Sequence, residues 1–246
     1  MDNRLKVREI YLSLQGEGTR TGLPCVLVRL AGCNLACNWC DTTEAQAPDT
    51  GEAMTLDAIL AAVAALNCRR VELTGGEPME QCATPALLAR FCDAGYETLI
   101  ETNGSLPIAD IDPRVIRIVD IKCPASGEAD SFLWTNLDAL RPSDELKFVL
   151  AGRADFDYAR DTIRERALIG RCEIIFSPIP TSLTPRTCRD GYSTTGWTSG
   201  SACNYTRSSG PTPKAASNIE AHHELRTRQD VPIRSRPRVT QRARRP

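Results

Sequence analysis

Three cysteines in one short stretch carry the most distinctive chemistry of this chain. Cys33, Cys37 and Cys40 have the spacing Cys-x3-Cys-x2-Cys, which lets one loop turn three thiolates towards a single iron–sulfur cube. A four-iron cube held by three cysteines keeps one iron open, and an open metal position can bind a small chelating molecule. The spacing therefore predicts a [4Fe–4S] cluster with one iron free for such a ligand. Three buried thiols, or a zinc site with a distant fourth ligand, are the alternatives.

Other unusual residues follow predicted strands. Residues 70–74 predict a strand that delivers Thr74-Gly75-Gly76-Glu77-Pro78, and residues 8–14 predict one that leads into the glycine-paired turn of residues 15–18. Glycines at such turns let backbone approach a ligand closely. A third predicted strand, residues 25–30, is apolar but contains Arg29, and a charge in such a strand needs a protein or ligand partner.

The elements that position these residues follow an alternating order. Six short apolar runs between residues 25 and 176 predict strands, at residues 25–30, 70–74, 96–101, 115–121, 145–150 and 172–176. Helical patterns lie between them, at residues 55–66, 84–93, 132–140 and 155–169. This alternation predicts parallel strands with right-handed crossovers. The predicted fold is an α/β partial barrel, (β/α)6 and TIM-like, with its ligands at the carboxyl ends of the strands.

Composition separates the chain into two parts. Residues 1–180 carry a net charge of −9, whereas residues 181–246 carry +8, with 18 Ser or Thr and six Leu, Ile or Val. The first part can bury a core, but the second cannot and is predicted to be a disordered basic tail. The overall charge of −1 does not suggest a nucleic-acid or membrane partner. We expect a reducing cytoplasm, because no signal peptide precedes the first strand and the 11 cysteines fit ligand or packing roles.

The cysteine spacing followed by Gly75-Gly76-Glu77-Pro78 resembles the radical S-adenosylmethionine superfamily. Within it, three further segments are similar to the family of 7-carboxy-7-deazaguanine synthases, over about residues 5–180. These segments are Leu14-Gln15-Gly16-Glu17-Gly18, Arg29, and Cys40-Asp41-Thr42. The resemblance implies rearrangement of 6-carboxy-5,6,7,8-tetrahydropterin to 7-carboxy-7-deazaguanine with loss of ammonia, as part of queuosine biosynthesis. The protein would then position reactive cofactors against the substrate and exclude side reactions.

The resemblance also implies the residues that bind the cofactors. Cys33, Cys37 and Cys40 would hold the [4Fe–4S] cluster, and its open iron would bind the amino and carboxylate groups of S-adenosylmethionine. Residues of the cysteine stretch and of three strand ends would surround that cofactor. They are Trp39, Cys40, Asp41, Gly75, Gly76, Glu77, Asp120, Ile121, Lys122, Ser177 and Pro178. The two glycines would leave room for the amino group of the cofactor.

For the substrate, the resemblance implies that Leu14, Gln15 and Gly16 present backbone groups to the pterin edge, with Glu17 in the same segment. Arg29 would pair with the substrate carboxylate, which its guanidinium fork matches well. Thr74 would add a hydroxyl group. Thr42 would ligate Mg²⁺, a hard cation that takes few protein oxygens and completes its shell with substrate and water. No catalytic residue beyond these ligands is predicted.

The resemblance further implies a homodimer and an electron donor such as flavodoxin or ferredoxin. Three alternatives stay open from the sequence. A radical enzyme that installs a glycyl radical on a partner shares the cysteine loop and the Gly-Gly-Glu-Pro motif, although the residue 14–18 segment and Thr42 argue against it. A structural or electron-carrying iron–sulfur or zinc protein is the second. The third is a nucleic-acid-binding role for the arginine-rich tail.

The chain departs from the family after about residue 185. Family members continue with a helix and a strand that ends near Gln-Leu-His-Lys-x-x-Trp, and the tail replaces that region. Residues 203–210 can be encoded so that a neighbouring reading frame gives Gln-Leu-His-Lys-Ile-Ile-Trp. A frameshift in the coding sequence would explain this coincidence. We expect the chain as written to be less stable than a frame-corrected chain, because the tail cannot bury an equivalent apolar area.

Overall fold

A computed structural model describes residues 3–179 and the backbone of residues 201–203. Its strands are β1 (Arg4–Leu14), β2 (Pro24–Leu30), β3 (Glu52–Thr55), β4 (Arg70–Gly75), β5 (Glu97–Thr102), β6 (Ile116–Asp120), β7 (Glu145–Leu150), β8 (Glu173–Pro178) and β9 (Ser201–Cys203). They form one sheet in the order β3-β1-β2-β4-β5-β6-β7-β8-β9. From β2 to β9 every neighbouring pair is parallel. The six predicted strands and their parallel order are therefore confirmed.

The structure describes three α-helices: α1 (Leu56–Ala65), α2 (Thr84–Asp93) and α3 (Arg153–Glu165). Thr55 caps α1, since its hydroxyl accepts the N–H of Ala58 at 3.2 Å. The predicted bounds of α3 were wrong, because the helix begins two residues earlier and ends four residues sooner. Asp155 does not cap it. The Asp155 carboxylate instead accepts the N–H groups of Ala125 at 3.0 Å and Ala151 at 2.8 Å, which ties the loop after β6 to the start of α3.

Two crossovers lack the α-helix that a full (β/α)6 pattern predicts. Between β5 and β6 the described chain has no helix, and the helix predicted at residues 132–140 is a short 3-10 helix, Trp134–Ala139. A buried asparagine, Asn136, stabilises these segments. Its amide group donates to the carbonyls of Gly104 and Leu106 at 2.9 Å and accepts the N–H of Ile108 at 3.2 Å. One side chain thus satisfies backbone groups that a helix would have paired internally.

Strand β1 is antiparallel to both of its neighbours, β2 and β3. Its end at Leu14 therefore lies opposite Pro24, at the amino end of β2. Residues 15–18 follow β1, but they do not lie at the edge where the carboxyl ends of the parallel strands meet. That turn lies at the amino edge of the parallel strands, while the cysteine stretch follows the carboxyl end of β2.

The two faces of the sheet differ in chemistry. The face that packs on the helices, here called the outer face, is mainly apolar, and its core side chains are buried with those of α1, α2 and α3. Thr102 and Arg117 are buried polar exceptions on this face. The opposite face, here called the inner face, carries polar and charged residues at alternate strand positions, as strand geometry requires. Its buried members are Glu72, Thr74, Asp120, Glu145, Lys147 and Ser177. The inner face is therefore a polar surface suited to a ligand.

The predicted boundary at residue 180 and most of the basic tail lie outside the described residues, as do residues 204–210 of the proposed frameshift. Ser201–Cys203 is the exception and extends the sheet beside β8. These three residues were predicted to be disordered, and the structure instead places them in a strand. Among the described residues, no helix combines the length and apolar character needed to span a bilayer.

Candidate functional site

The cysteine loop, residues 31–42, is fixed by contacts of the residues between the cysteines. The N–H of Ala36 donates to the carboxylate of Glu128 at 2.9 Å. The N–H of Asn38 donates to the carbonyl of Ser126, also at 2.9 Å. These anchors hold the loop against the segment that follows β6 without using the thiols.

A second set of contacts joins the cysteine loop to the turn after β5. The side-chain amide of Asn103 donates to Asn34 Oδ1 at 3.1 Å, and Asn34 Nδ2 donates to Ser105 Oγ at 2.8 Å. The loop is thus tied to the carboxyl ends of two strands, β5 and β6. Such anchoring pre-positions the three thiols for ligand binding.

The three thiols of the cysteine loop are not joined in disulfides. All three cysteines are free and partly exposed. Across residues 3–179, no three His, Cys, Asp or Glu side chains converge on a position that would hold one metal ion. Three thiolates on one iron–sulfur cube bind different irons and so stand further apart than the ligands of one zinc. Burial raises the pKa of the Cys33 and Cys37 thiols, so cluster binding must displace protons from them.

Gly75 and Gly76 are required by backbone packing. Gly75 has φ of +150°, and a Cβ there would lie 2.3 Å from the carbonyl oxygen of Leu30. At Gly76 a Cβ would lie 2.0 Å from the carbonyl oxygen of Gly32, at the start of the cysteine loop. The absence of side chains at these two positions therefore makes room for the protein's own backbone. The motif had predicted only that it makes room for a ligand.

Glu77 is buried, and protein groups occupy both of its carboxylate oxygens. Oε1 accepts the N–H of Met79 at 2.9 Å and the hydroxyl of Thr102 at 2.7 Å, and Oε2 accepts the N–H of Asn103 at 2.7 Å. Burial raises the pKa of this carboxyl group, and the three hydrogen bonds oppose that shift. Glu77 thus joins the turns after β4 and β5.

Beside the cysteine loop, two buried polar atoms have no hydrogen-bond partner among the described residues: Trp39 Nε1, a donor, and Asp120 Oδ1, an acceptor. Lys122 links them, since its ammonium lies 2.8 Å from Asp120 Oδ2 and 5.4 Å from the centroid of the Trp39 ring. Unpaired buried polar atoms are costly and rare. A ligand with both acceptor and donor groups, such as an amino-acid nucleoside, fits this position.

Arg29 lies on the inner face near the cysteine loop. Its Nε donates to Glu9 at 2.8 Å, so the partner predicted for this charge is in part a protein carboxylate. The two terminal nitrogens make longer contacts, to Tyr11 Oη at 3.3 Å and to Thr42 Oγ1 at 3.5 Å. Thr42 also donates its hydroxyl to Asp41 Oδ1 at 2.9 Å. The structure therefore places the predicted carboxylate-binding and magnesium-binding residues next to each other.

A charged network continues across the inner face. Thr74 Oγ1 donates to Glu101 at 3.4 Å, and the ammonium of Lys147 pairs with Glu101 and, at 2.8 Å, with Glu17. Ser177 Oγ donates to the same Glu17 oxygen at 3.5 Å, which places Ser177 in this network. Burial acts to lower the pKa of Lys147, but its carboxylate neighbours outweigh it and hold the pKa well above the usual value. Lys147 is thus charged at neutral pH.

The side chain of Gln15, not its backbone, faces this network. The backbone N–H of Gln15 donates to Leu23 and its carbonyl accepts from Gly22, both at 2.8 Å. These two backbone groups are therefore hydrogen-bonded within the β1–β2 hairpin, and their contact with the pterin stays a prediction. Its side-chain amide donates to Glu72 Oε2 and accepts the N–H of Glu17 at 3.3 Å.

Residues 18–20 hold this segment at the amino edge of the sheet. Thr19 Oγ1 donates to the buried Glu145 at 2.6 Å, and Arg20 forms salt bridges with Glu97 at 2.7 Å and Glu145 at 3.2 Å. Gly18 has φ of +74°, and a Cβ there would lie 2.2 Å from a Glu145 oxygen. The segment therefore closes the amino edge of the inner face, opposite the cysteine loop.

Three inner-face residues were missed by the sequence reading: Glu72, Glu101 and Lys147. Each is a charged residue within a predicted strand, which is the signal that singled out Arg29. Three other predicted site residues contribute little from their side chains. Ile121 packs in the outer-face core, Pro178 pairs with Leu150 in the sheet, and the side chain of Leu14 is 59% exposed.

Comparisons with known proteins agree with this arrangement. A model of the radical SAM superfamily matches residues 27–121. The chain is 46% identical over 177 residues to a 7-carboxy-7-deazaguanine synthase of Koribacter versatilis, which covers 71% of this chain and 77% of that protein. It is 44% identical over 185 residues to the enzyme of the same name from Chlorobaculum tepidum, covering 74% and 83% of the two chains.

The fold is similar to that in the crystal structure of QueE from Escherichia coli. The TM-score is 0.67 at 22% sequence identity, and the match covers 81% of this chain and 94% of the other. At this identity the likeness concerns the fold alone. Both sequence relatives are synthases, so the glycyl-radical activase interpretation is not favoured.

Proposed function

The chain belongs to the family of 7-carboxy-7-deazaguanine synthases, and on this premise we propose that it rearranges 6-carboxy-5,6,7,8-tetrahydropterin to 7-carboxy-7-deazaguanine with loss of ammonia. The reaction is a lyase step in queuosine biosynthesis. The observation that carries the proposal is the 46% identity to a named synthase over 177 residues, which is 71% of this chain.

The cofactors of this family are a [4Fe–4S] cluster and S-adenosylmethionine. When bound, they supply the radical chemistry that starts the rearrangement. We propose that Cys33, Cys37 and Cys40 hold the cluster, which the anchored loop and free thiols support. Asp120 Oδ1 and Trp39 Nε1 would meet the donors and acceptors of S-adenosylmethionine, because both atoms are buried without a partner among the described residues.

We propose that Arg29 orients the substrate carboxylate and that Thr42 ligates Mg²⁺ beside it. The 3.5 Å contact between the two residues supports a shared ligand, since one carboxylate can contact both a guanidinium and a magnesium ion. Thr74 lies directly across from Arg29 in the β2–β4 register and would contact the same end of the substrate. These residues would hold the substrate still while the inner face excludes water.

Glu17 and Gln15 would contact the substrate through their side chains. Glu17 is already oriented by Lys147 and Ser177, so its second oxygen can accept a hydrogen bond from an N–H of the heterocycle. Burial raises the pKa of Glu17, and Lys147 opposes that shift. A fixed, polar pocket of this kind suits a flat heterocycle with alternating donors and acceptors.

We further propose a homodimer, an external electron donor such as flavodoxin or ferredoxin, and a cytoplasmic location. Dimer formation is supported by β1, which pairs with β3 only over residues 4–7 and leaves the rest of that edge unpaired among the described residues. Leu12, Leu14 and Leu23 are 49%, 59% and 44% exposed beside this edge. Such an apolar edge strand favours pairing with a second chain.

The test is a turnover assay. After anaerobic cluster reconstitution, the protein is incubated with S-adenosylmethionine, reductant, Mg²⁺ and the carboxytetrahydropterin, and products are identified by mass. We expect 7-carboxy-7-deazaguanine and ammonia. Cleavage of S-adenosylmethionine without change to the pterin would contradict the proposed substrate, and absence of cleavage would favour a structural or electron-carrying protein.

The assay is run on the chain as written and on a frame-corrected chain. We expect the corrected chain to be more stable in a thermal melt and more active. Equal stability and turnover would contradict the proposed effect of the tail, and a coding sequence without the second reading frame would contradict the frameshift itself.

A further inference from the structure

Glu72 is an inner-face acid that the proposed site does not yet use and that forms no salt bridge with a described residue. We propose that Glu72 accepts hydrogen bonds from the amino-pyrimidine edge of the substrate and thereby selects heterocycles that carry the 2-amino group. The inference rests on the proposed function and deepens it, because it names the residue that recognises the end of the substrate opposite the carboxylate.

The position of Glu72 supports this role. It lies in the middle of β4 with its side chain on the inner face, and it is 3% exposed. Its strand neighbours across the register are Leu27 and Leu99, which offer no hydrogen bond from their side chains. The amide of Gln15 donates to Oε2, and each carboxylate oxygen can accept more than one hydrogen bond.

Glu72 also differs from the other inner-face acids in its charge environment. Glu17 and Glu101 pair with Lys147, and Asp120 pairs with Lys122. Glu72 forms no salt bridge with any described residue. The titratable and charged groups that face it are Glu101, Lys147, Glu17 and Cys25. Burial, followed by the charge of Glu101, raises its pKa to about 8, against the opposing effects of Lys147 and Gln15.

The distance along the sheet fits a two-ring substrate. Thr74 lies across from Arg29, and Glu72 lies two residues deeper on the same strand. Two strand residues span about 6.6 Å, which is comparable with the length of a bicyclic heterocycle. A substrate held at its carboxylate by Arg29 would therefore reach Glu72 with its far edge.

The far edge of a pterin carries two neighbouring donors, the 2-amino group and the ring N–H. Both can donate to one carboxylate, and such hydrogen bonds favour its charged form. Binding would therefore ionise Glu72 and release its proton to solvent. Affinity should rise with pH between about 6 and 8, because the unbound carboxyl group gives up its proton more readily across that range.

The test measures binding by calorimetry without turnover. The cluster-loaded protein, with S-adenosylmethionine and Mg²⁺ but no reductant, is titrated at pH 7 with 6-carboxy-5,6,7,8-tetrahydropterin and with its 2-oxo analogue. We expect wild type to prefer the 2-amino compound by at least about tenfold, as lost hydrogen bonds to a charged group imply. Titrations in buffers of different ionisation enthalpy should show release of up to about one proton.

Glu72→Gln keeps the shape of the side chain but cannot ionise, and Glu165→Gln is the matched control at an exposed position. We expect Glu72→Gln to lose the preference for the 2-amino compound and the proton release, while the control keeps both. If a folded Glu72→Gln protein still prefers the 2-amino compound over the 2-oxo compound, the inference is overturned. Binding of the 2-amino compound to wild type without proton release would also overturn it, and this second measurement needs no variant. If wild type binds neither compound, the proposed function fails as well.

Discussion

Strand β7 shows how the two faces of the sheet differ. Leu146, Phe148 and Leu150 lie on the outer face in an apolar core, whereas Glu145 and Lys147 lie on the inner face and are equally buried. Burial of apolar groups stabilises the fold, but burial of charged groups is unfavourable unless each is paired. The comparison indicates that the outer face maintains the structure, while the inner face gives up stability for recognition.

The largest difference between the faces should appear when Phe148 is truncated. Phe148→Ala removes a fully buried ring that contacts Phe176, with centroids 6.1 Å apart. We expect a loss of about 3–5 kcal/mol in unfolding free energy, independent of pH, from denaturant titration of the metal-free protein. Ile169→Ala, at a residue that is 51% exposed, is the control and should change little. A loss below about 1 kcal/mol would contradict the assignment of stability to the outer face.

Lys147, the neighbour of Phe148, should give a pH-dependent result. Lys147→Met leaves the half-buried Glu17 and Glu101 without their cation, so their folded-state pKa values rise above those of the unfolded chain. The folded state then binds more protons, and stability is lost as pH rises. We expect a loss of about 2–4 kcal/mol at pH 8 and a much smaller one at pH 5. An equal loss at both values would show that packing, and not charge, dominates there.

Gly18→Ala should have a smaller effect, at the amino edge of the inner face. The added Cβ would clash with Glu145 and impose a side chain on a residue with φ of +74°. We expect a loss of about 1–3 kcal/mol. Gly22→Ala is a matched control, because Gly22 has φ of +85° but open space around its Cβ position. If the two variants melt alike, backbone strain alone explains the effect and the contact with Glu145 is unimportant.

Glu72→Gln should be the mildest change and should stabilise the ligand-free protein. The folded-state pKa of about 8 exceeds the ordinary value of 4.5, so the folded chain binds an extra proton and wild type loses stability as pH rises from about 5 to 8. The variant lacks this loss. We expect it to be more stable than wild type by about 1 kcal/mol at pH 8, with little difference at pH 5. If the variant were less stable than wild type at pH 8, the absence of a cationic partner for Glu72 would be contradicted.

Much of this arrangement follows from the alternation of residues within strands. The apolar runs and their spacing determine six parallel strands, and the motifs after β2 and β4 locate the cluster and cofactor positions. The charged residues Glu72, Glu101 and Lys147 could have been assigned to the inner face by the same reasoning that singled out Arg29. Each is a charged residue that follows an apolar neighbour along the chain, so the face on which it lies must bind something polar.

Other features depend on tertiary contacts that local patterns do not contain. The reversal of β1, which puts Gln15 at the amino edge, results from pairing with β2 and β3. The helix-free crossovers depend on Asn136, whose partners are 28 to 32 residues away. Asp155 has the sequence features of a helix cap but bonds to a distant loop. Long-range hydrogen bonds of this kind override local propensity.

Electron paramagnetic resonance of the anaerobically reconstituted, reduced protein, before and after addition of S-adenosylmethionine, measures whether the chain holds a cluster with an open iron. We expect about four irons per chain and the signal of a reduced [4Fe–4S] cluster, with a change in that signal when S-adenosylmethionine binds the open iron. A protein that contains about one zinc and no iron, or a cluster signal unaffected by S-adenosylmethionine, would contradict the account.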